Sequence, residues 1–447
     1  MNRESDNDKI GKEDLNNIQP LRGFREFYPE IMIQKRAIFN VLAETAKLFG
    51  FEEIDVPSVE PLQLFKLKSG DEIVKNTFSF KDKGGRDVTL IAEMTPTIAR
   101  MVSNKIGSVP LPIRWFSNPK IWRYEEPQKG RMREFYQFNI DLIGVKNRYV
   151  DAEILYLAYM MMERAGVEKF VEIRLSHRKI VSYLFDGLDK SVIENLYKLI
   201  DKRDKLDNVT FEKEARNIIK NEEYADLLKR IIDLKMPLKE GIERLEKMVK
   251  GNEKLNEIIE ELKDLCVVLE WYGIERKIIL DISIVRGLSY YTGIVFECWD
   301  KAGEFRAIFG GGRYDNLLQL FKGVSVPAIG FAIGDVTLEL LLKREKIWPF
   351  NVGGADVYVI AIYERYFNKT IKIITALRRN DISVMFDYQI RSMDKGLRSA
   401  SRAKVKYALI IGSEIENDVI TLKNMGTQEQ IAIKLDDLLL YIKSKNM

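Results

Sequence analysis

The chain has 447 residues, of which 46% are hydrophobic and 31% are charged, and this composition supports two or three domains with large buried cores. The net charge of +4 permits an anionic partner but is too small to demonstrate one. Two cysteines are too few for a disulfide framework, and the single histidine, His177, argues against chemistry that needs several imidazoles. No run approaches the roughly 20 apolar residues of a membrane span, and neither a P-loop nor a Gly-x-Gly-x-x-Gly turn is present.

The N-terminal part of the chain predicts a sheet with one long helix. Residues 1–18 are polar and mixed in charge, which predicts a flexible tail. A helix is predicted over about residues 30–49, because apolar side chains recur there at helical spacing. Residues 77–91 predict a β-hairpin, and further strands are predicted within 113–144. Hairpins build antiparallel sheets, so residues 19–185 are predicted to form the first part of an antiparallel core.

The remainder of the chain divides into an insertion, a return to the core and a separate domain. Residues 186–265 carry leucine and isoleucine at helical spacing among many charged residues, which predicts an inserted helical domain. Strand character returns in the second part of the core, residues 266–345. After a linker at 346–354, strand and helix patterns alternate over 355–447, and this alternation predicts a compact α/β domain with a mixed sheet.

A segment between two predicted strands, Arg123–Phe135, is dense in arginine. Arginine presents a planar fork to phosphate oxygens, and a strand fixes the direction of that fork. A solvated hairpin tip would also carry basic residues. The spacing of Arg123, Arg131 and Phe135 favours a phosphate-binding site.

A second run, Arg286–Glu297, places one arginine and two adjacent tyrosines ahead of a predicted strand. A guanidinium beside two aromatic rings suggests a pocket for an anion and a flat ring. A buried strand with an ion-paired arginine at its mouth fits the same residues equally well. His177 has no acid or nucleophile pattern around it and is interpreted as a structural or surface residue.

Together these segments resemble the motifs of class II aminoacyl-tRNA synthetases, in the form found in the histidyl-tRNA synthetase family. Residues 123–135 are similar to motif 2, residues 23–57 to the motif 1 region that forms the family's dimer interface, and residues 330–341 to motif 3. Arg286–Glu297 resembles the first histidine-specific signature, and Gly310–Asp315 resembles the glycine-rich second one. The motifs occur in the family's order over nearly the whole chain, which is more specific than any single match.

The resemblance implies an α+β fold with an antiparallel sheet flanked by helices, an inserted helical domain and a C-terminal anticodon-binding-like domain. It implies a cytoplasmic, homodimeric histidine–tRNA ligase, with no membrane contact, that activates L-histidine with ATP and Mg²⁺ and transfers it to the 3′ end of tRNA(His). No acidic cluster in the sequence identifies protein ligands for a metal. The alternative is a non-catalytic, histidine-sensing regulatory subunit of ATP phosphoribosyltransferase, which would be expected to lose Arg286 or the anticodon-binding domain.

For ATP, the resemblance implies that Arg123 contacts the α-phosphate and the substrate carboxylate, and that Arg286 approaches the α-phosphate from the other side. These two are the implied catalytic residues. The further residues implied at ATP are Glu125, Arg131 at the outer phosphates, Phe135 stacked on adenine, and Arg313. Most class II enzymes have a motif 3 arginine for the γ-phosphate, whereas this chain has Thr337 near that place. The contact would then rest with Arg131, Arg313 or magnesium.

For the amino acid, the resemblance implies two groups of residues. Those at the α-ammonium are Glu93, Thr95 and Gln137, and those at the imidazole are Asp141, Tyr290 and Tyr291. A carboxylate and a phenol can satisfy both edges of an imidazole, and apolar rings are rejected because they leave those groups unpaired. Each group also has an alternative interpretation that involves no ligand. Asp141 could form an ion pair with an arginine, one of Tyr290 and Tyr291 could pack in the core, and Glu93 could cap a helix.

For tRNA, the resemblance places Gln128 and Lys129, on the motif 2 loop, near the acceptor end. In the C-terminal domain Arg391, Lys395, Arg398 and Arg402 are spaced to share one face of a helix. Lys395 and Arg398 are therefore candidate tRNA contacts, and a solvated helix surface fits these residues as well.

Overall fold

The structure is a computed structural model that describes residues 19–69, 71–105, 107–203, 206–285, 291–316, 319, 325–349, 354–390 and 392–446. The predicted tail, Arg286, Tyr290 and Arg391 lie outside the described residues. The chain divides into two compact units, Met1–Phe27 with Ile38–Trp348, and Tyr28–Ala37 with Pro349–Met447.

The first unit is built on a mixed sheet, with ten strands among the described residues. Its strands are β1 (Glu52–Glu53), β5 (Ile113–Ser117), β6 (Lys120–Trp122), β7 (Glu134–Ile143), β8 (Val171–His177), β9 (Lys235–Pro237), β10 (Ile278–Asp281), β11 (Ile294–Asp300), β12 (Phe309–Arg313) and β13 (Ala328–Gly334). The order is β1-β5-β7-β13-β12-β11-β8-β10-β9, and β6 pairs with β7. Neighbours from β5 to β8 are antiparallel, as predicted, whereas β1 pairs with β5 and β10 with β8 in parallel.

A small antiparallel sheet carries the predicted hairpin. Its strands are β2 (Val59–Pro61), β3 (Ser79–Lys81) and β4 (Asp87–Leu90), and β4 pairs with both others. The hairpin turn is closed by Asp82, whose carboxylate accepts hydrogen bonds from the main-chain N–H and the side chain of Arg86 at 2.9 and 2.7 Å.

Eleven helices are described up to residue 344, and many of their apolar side chains share a core with the main sheet. The helices are α1 (Pro29–Leu48), α2 (Leu62–Ser69), α3 (Thr95–Lys105), α4 (Arg148–Arg164), α5 (Lys179–Leu184), α6 (Lys190–Ile200), α7 (Asn208–Ile219), α8 (Glu222–Ile232), α9 (Leu238–Met248), α10 (Glu253–Trp271) and α11 (Asp335–Arg344). Short 3₁₀ turns lie at Asp71–Asn76 and Glu275–Lys277. Helix α4 begins where the Asn147 side chain accepts the Val150 N–H at 3.0 Å, and its Leu155 and Leu157 are fully buried.

Between residues 186 and 265 the chain is mainly helical but not separate from the core. Strand β9 lies within this range and forms an edge of the main sheet by pairing with β10. Helix α10 continues to Trp271, past the boundary placed at 265, because its buried stripe of Leu262, Leu265 and Leu269 is uninterrupted.

Strand β7 separates the core from a polar surface. Phe138, Ile140 and Leu142 are at most 1% exposed and pack against the core helices. Since side chains alternate along a strand, Gln137, Asn139 and Asp141 lie on the opposite face. This polar face of β7 positions the candidate site.

The second unit has the predicted mixed sheet. Its strands are β14 (Val357–Ala361), β15 (Val384–Phe386), β16 (Tyr407–Ile411), β17 (Val419–Asn424) and β18 (Gln430–Lys434), in the order β15-β14-β16-β17-β18. Its helices are α12 (Phe367–Arg378), α13 (Met393–Arg402) and α14 (Leu435–Asn446), with 3₁₀ turns at Glu364–Tyr366 and Ser413–Asn417. In the part of the chain that the structure describes, no helix is both long and apolar enough to cross a membrane.

Candidate active site

A cleft on the polar face of β7 has two connected compartments. The inner compartment is lined by side chains that include Glu93, Thr95, Gln137, Asp141, Tyr291 and Tyr314. The outer compartment is lined by side chains that include Glu125, Arg131, Phe135, Arg306, Val336 and Thr337. Arg123, Gln137, Gly310 and Ala332 border both compartments. The cleft thus brings together most of the residues predicted for the amino acid and the nucleotide.

Glycines on the neighbouring strands leave space for the inner compartment. Gly330 of β13 pairs with Asp141 of β7 on one side and with Gly312 of β12 on the other. A Cβ atom at Gly330 would lie 2.3 Å from the Ile140 carbonyl oxygen and 3.0 Å from Oδ1 of Asp141. At Gly312 it would lie 2.8 Å from Cδ1 of Tyr291. Larger residues at these positions would displace the groups that form the pocket.

The Asp141 carboxylate is buried at the inner end of the cleft. The hydroxyl of Tyr314, itself 3% exposed, donates a hydrogen bond to Oδ1 of Asp141. Burial raises the pKa of Asp141 to about 6, and the bond from Tyr314 opposes that rise. Among the described residues Asp141 makes no ion pair with an arginine, so the structure does not support that alternative. At neutral pH the carboxylate is mainly ionised and can accept an N–H from a ligand.

Tyr314 is a pocket residue that sequence reasoning missed, although strand alternation could have found it. Gly310, Gly312 and Tyr314 follow one another at every second position of β12 and the residue after it, and Gly310 and Tyr314 line the inner compartment. The intervening Arg313 must therefore point to the other face.

The prediction that Arg313 contacts ATP is wrong, because its side chain is 1% exposed within the core and lines neither compartment. Its guanidinium binds the carboxylate of Asp151, with Nε 3.1 Å from Oδ1, and that of Asp315, with Nη1 3.1 Å from Oδ1. Nη1 also donates to the carbonyl oxygen of Val145 at 3.3 Å. These bonds hold α4 against the sheet.

Arg123 lies at the junction of the compartments. Its Nε donates to the carbonyl oxygen of Ala92 at 2.9 Å, and its guanidinium carbon lies 5.3 Å from the centre of the Phe135 ring. Within the described part of the chain it forms no salt bridge. Its terminal nitrogens are therefore directed by two contacts and remain able to bind an anion.

Glu93, Thr95 and Tyr291 reach the inner compartment from other parts of the chain. Glu93 is 9% exposed and lies just before α3, whose first residue is Thr95. Tyr291 is 8% exposed, so it both lines the compartment and packs in the neighbouring apolar cluster. One tyrosine of the predicted pair is thus partly a core residue.

The outer compartment is bordered by a tight loop. Residues 128 and 131 exchange main-chain hydrogen bonds of 3.1 and 2.8 Å, and Gly130 between them has φ +78°. Nη1 of Arg131 lies 2.7 Å from Oε2 of Glu125. The pKa of Arg131 is lowered by burial; Glu125 opposes this effect and the nearby charge of Arg306 adds to it. Sequence reasoning missed Arg306, which lies in the β11–β12 connection outside every recognised motif.

The candidate tRNA contacts lie on exposed surfaces. Gln128 and Lys129 are at the tip of the loop, where Nζ of Lys129 lies 3.8 Å from Oε2 of Glu304 and 4.9 Å from the Phe305 ring centre. In the second unit, Lys395 and Arg398 are exposed on α13, while Gly396 and Ala400 are buried beneath it.

His177 lies outside both compartments. Burial lowers its pKa to about 3, so the imidazole is neutral, and Nδ1 accepts the Lys179 N–H at 3.3 Å. The interpretation as a structural residue agrees with this position. In the described residues, no group of three or more His, Cys, Asp or Glu side chains is arranged to hold a metal ion.

A sheet that is antiparallel at its centre and carries an arginine-rich loop beside a polar pocket is the arrangement that the resemblance to class II aminoacyl-tRNA synthetases implies. A family model for histidyl-tRNA synthetase matches residues 23–337, and a model for an anticodon binding domain matches residues 356–445. This chain belongs to the histidyl-tRNA synthetase family.

Individual relatives support the assignment. A histidine–tRNA ligase from Picrophilus torridus is 39% identical over 429 residues, which cover 96% of this chain and 100% of that protein. The crystal structure of histidyl-tRNA synthetase from Nostoc sp. PCC 7120 is similar with a TM-score of 0.84 and 22% identity, over 96% of this chain and 99% of that one. An ATP phosphoribosyltransferase regulatory subunit/histidyl-tRNA synthetase from Bacillus halodurans C gives a TM-score of 0.74 and 23% identity, over 88% and 98% of the two chains. At these identities the two solved structures show the fold alone.

Proposed function

We propose that this protein is a histidine–tRNA ligase that works in two steps. In the first, a carboxylate oxygen of histidine attacks the α-phosphorus of ATP, which forms histidyl-adenylate and releases pyrophosphate. In the second, the terminal hydroxyl of tRNA(His) attacks the histidyl carbonyl carbon, and AMP leaves. The observation that carries the proposal is the connection of a buried carboxylate pocket around Asp141, through Arg123, to a compartment lined by further arginines.

The inner compartment would recognise histidine by the two polar edges of the imidazole ring. The Asp141 carboxylate would accept a hydrogen bond from the imidazole N–H, and the hydroxyl of Tyr291 would donate one to the other ring nitrogen. Glu93, Thr95 and Gln137 would hold the α-ammonium group. A phenylalanine or leucine side chain in this pocket would leave the buried Asp141 carboxylate without its partner, which can disfavour the wrong amino acid by a factor of about 10⁴.

Arg123 would orient the reacting groups at the junction. Arg123 lines both compartments, so one guanidinium would hold the histidine carboxylate and an α-phosphate oxygen together. Because the Ala92 carbonyl and the Phe135 ring fix its direction, little reorganisation is needed as charge develops. Arg286 would approach the α-phosphate from the other side, as the family resemblance implies.

ATP would occupy the outer compartment. Phe135 would stack on adenine, and Arg131 would contact the outer phosphates with Glu125 holding its guanidinium. Mg²⁺ would accompany ATP, since it is usually bound by substrate phosphates and one or two carboxylates. Glu125 is a carboxylate in the described wall of this compartment, so it is the residue here that fits such a role.

The remaining partners follow from family membership. Gln128 and Lys129 would meet the acceptor end of tRNA(His), and Lys395 and Arg398 would contact phosphates near the anticodon. We also propose a homodimer that acts in the cytoplasm.

Histidine-dependent exchange of labelled pyrophosphate into ATP tests the first step. Wild-type protein is expected to catalyse exchange with histidine and with no other amino acid. Arg123→Ala and Arg286→Ala are each expected to lower the rate by about 10² or more, since each removes a charge that stabilises the transition state.

Binding of histidine without any exchange would contradict the ligase and support the sensing alternative. Histidine affinity should therefore be measured on the same preparations by calorimetry. Retained histidine binding in an inactive Arg286→Ala variant would separate catalysis from recognition.

A further inference from the structure

The connection between β11 and β12 is fixed at its base by Asp300. The Asp300 carboxylate accepts the N–H of Ala302 at 3.2 Å and that of Glu304 at 3.1 Å. It also binds both terminal nitrogens of Arg344 from α11, at 2.6 and 2.7 Å. These bonds tie the start of the connection to its own main chain and to α11.

Phe305 fixes the far part of the same connection. Its side chain is 8% exposed, and its ring lies between two cations, 4.9 Å from Nζ of Lys129 and 5.0 Å from the guanidinium carbon of Arg344. With Phe305 held inward, the adjacent Arg306 lines the outer compartment beside Arg131 and Thr337.

The three arginines of the outer compartment differ in their existing partners. Arg123 already donates through Nε to Ala92, and Arg131 is paired with Glu125. Arg306 forms no ion pair with any residue that the structure describes. Arg306 and Arg131 repel each other closely enough for Arg306 to contribute to the lowered pKa of Arg131, after burial. Two neighbouring guanidiniums that share the compartment with one carboxylate, that of Glu125, leave a net positive charge that favours an added anion.

The opposite wall supplies no charge to such an anion. Helix α11 presents Val336 and Thr337 to the compartment. The outer phosphates of ATP carry several negative charges. Arg306 is a cation of the described wall that has no carboxylate partner there and, unlike Arg123, no role proposed at the α-phosphate.

We propose that Arg306 binds the outer phosphates of ATP, and the pyrophosphate released from it, together with Arg131. This inference rests on the proposed function, because ATP must occupy the outer compartment. Arg123 keeps its role at the α-phosphate, so Arg306 matters for the triphosphate and for pyrophosphate but not for the adenylate.

Equilibrium binding separates these roles. Calorimetry at fixed Mg²⁺ would compare ATP, pyrophosphate and a non-hydrolysable histidyl-sulfamoyl adenosine, which lacks outer phosphates. Arg306→Ala is expected to weaken ATP and pyrophosphate about tenfold or more and to change the affinity for the adenylate analogue by less than about twofold. Arg306→Lys should recover part of the loss, because it restores the charge but not the fork.

Arg276→Ala is the matched control. It removes the same charge from a side chain that is 90% exposed, pairs with Glu275 and lines neither compartment. Its affinities for all three ligands should equal those of the wild type.

Two outcomes would overturn the inference. One is an unchanged ATP affinity in Arg306→Ala, and the other is an equal loss for the adenylate analogue, which would show a general disturbance of the cleft. Because ligand binding is measured directly, the result does not depend on whether the protein is catalytically active. If the wild type catalyses no exchange but the Arg306→Ala variant binds ATP more weakly than the wild type, the proposed function is contradicted and the phosphate contact is supported. If the wild type is active and the variant binds ATP as tightly as the wild type, only the phosphate contact is contradicted.

Discussion

At the scale of the residue, the chemistry of the inner compartment depends on the ionisation of Asp141. Burial favours the neutral acid, and the hydroxyl of Tyr314 favours the carboxylate. The resulting pKa of about 6 lies close to that of a free imidazole, so Asp141 and its proposed ligand titrate in the same range.

Asp141→Asn should raise the KM for histidine by about 10- to 100-fold, because a hydrogen bond to a charged group contributes about 1.5–3 kcal/mol. The KM for ATP should change little, since Asp141 does not line the outer compartment. Pyrophosphate exchange at varied histidine and varied ATP measures both constants. An equal change in the two would indicate a disturbed fold rather than a lost contact.

Tyr314→Phe should shift the pH dependence of histidine binding upwards. The hydroxyl of Tyr314 lowers the pKa of Asp141, so its loss moves that pKa above about 6. A function that needs the carboxylate is present above this pKa and is lost as pH falls through it, so the variant should lose affinity at higher pH than the wild type. Calorimetry from pH 5 to 8 measures the shift. Free histidine also titrates in this range, but its titration is the same for both proteins and cancels when the variant is compared with the wild type. Coincident profiles would contradict the coupling.

At the scale of the element, the pocket exists because three adjacent strands differ in side-chain size. Strand β7 supplies long polar side chains, whereas β12 and β13 supply glycine at the paired positions. The close approach of the Gly330 backbone to Ile140 shows how little space remains.

Gly330→Ala should destabilise the first unit by about 2 kcal/mol or more, because its Cβ would lie 2.3 Å from the Ile140 carbonyl oxygen. Gly334→Ala on the same strand is the matched control, since an added Cβ there meets no atom within 4 Å and its φ is −83°. Chemical denaturation compares the two variants. Equal stabilities would show that the sheet adjusts to a methyl group at residue 330 without cost.

At the scale of the whole molecule, the two units have separate cores and separate proposed tasks. The cleft belongs entirely to the first unit, and the exposed basic residues of α13 belong to the second. Changes on α13 should therefore act on RNA binding alone.

Lys395→Ala and Arg398→Ala should weaken tRNA binding and spare pyrophosphate exchange. Each lost phosphate contact should lower the slope of log affinity against log salt concentration by about 1. Lys372→Ala, an exposed lysine on α12, controls for net charge. If the Lys395→Ala and Arg398→Ala variants bind tRNA as tightly as this control at several salt concentrations, α13 is a solvated surface and not a tRNA contact.

Local patterns predicted the antiparallel core, the helices and the mixed C-terminal sheet, because side-chain alternation and helical spacing are properties of short segments. Arginine spacing also pointed to Arg123 and Arg131, whereas Asp141 was implied by the family resemblance. The partner of Asp141 was not predicted, since Tyr314 reaches it across the sheet. Arg313 was misplaced because Gly310–Asp315 was matched to the family's glycine-rich signature, whereas Phe309–Arg313 is a strand that turns the arginine into the core. The position of Arg306 depends on the β11–β12 connection, which is held by the ion pair of Asp300 with Arg344. These two residues are distant in sequence, so no short segment reveals their contact.

The glycines on the floor of the inner compartment also limit how its substrate range can be engineered. A pocket is usually widened by trimming a side chain, and Gly330 and Gly312 have none to trim. Room for a bulkier histidine analogue must come from the walls, where two of the large side chains, Tyr291 and Tyr314, belong to the proposed recognition of histidine. Enlargement at either tyrosine and loss of selectivity for histidine are thus expected to occur together in this protein.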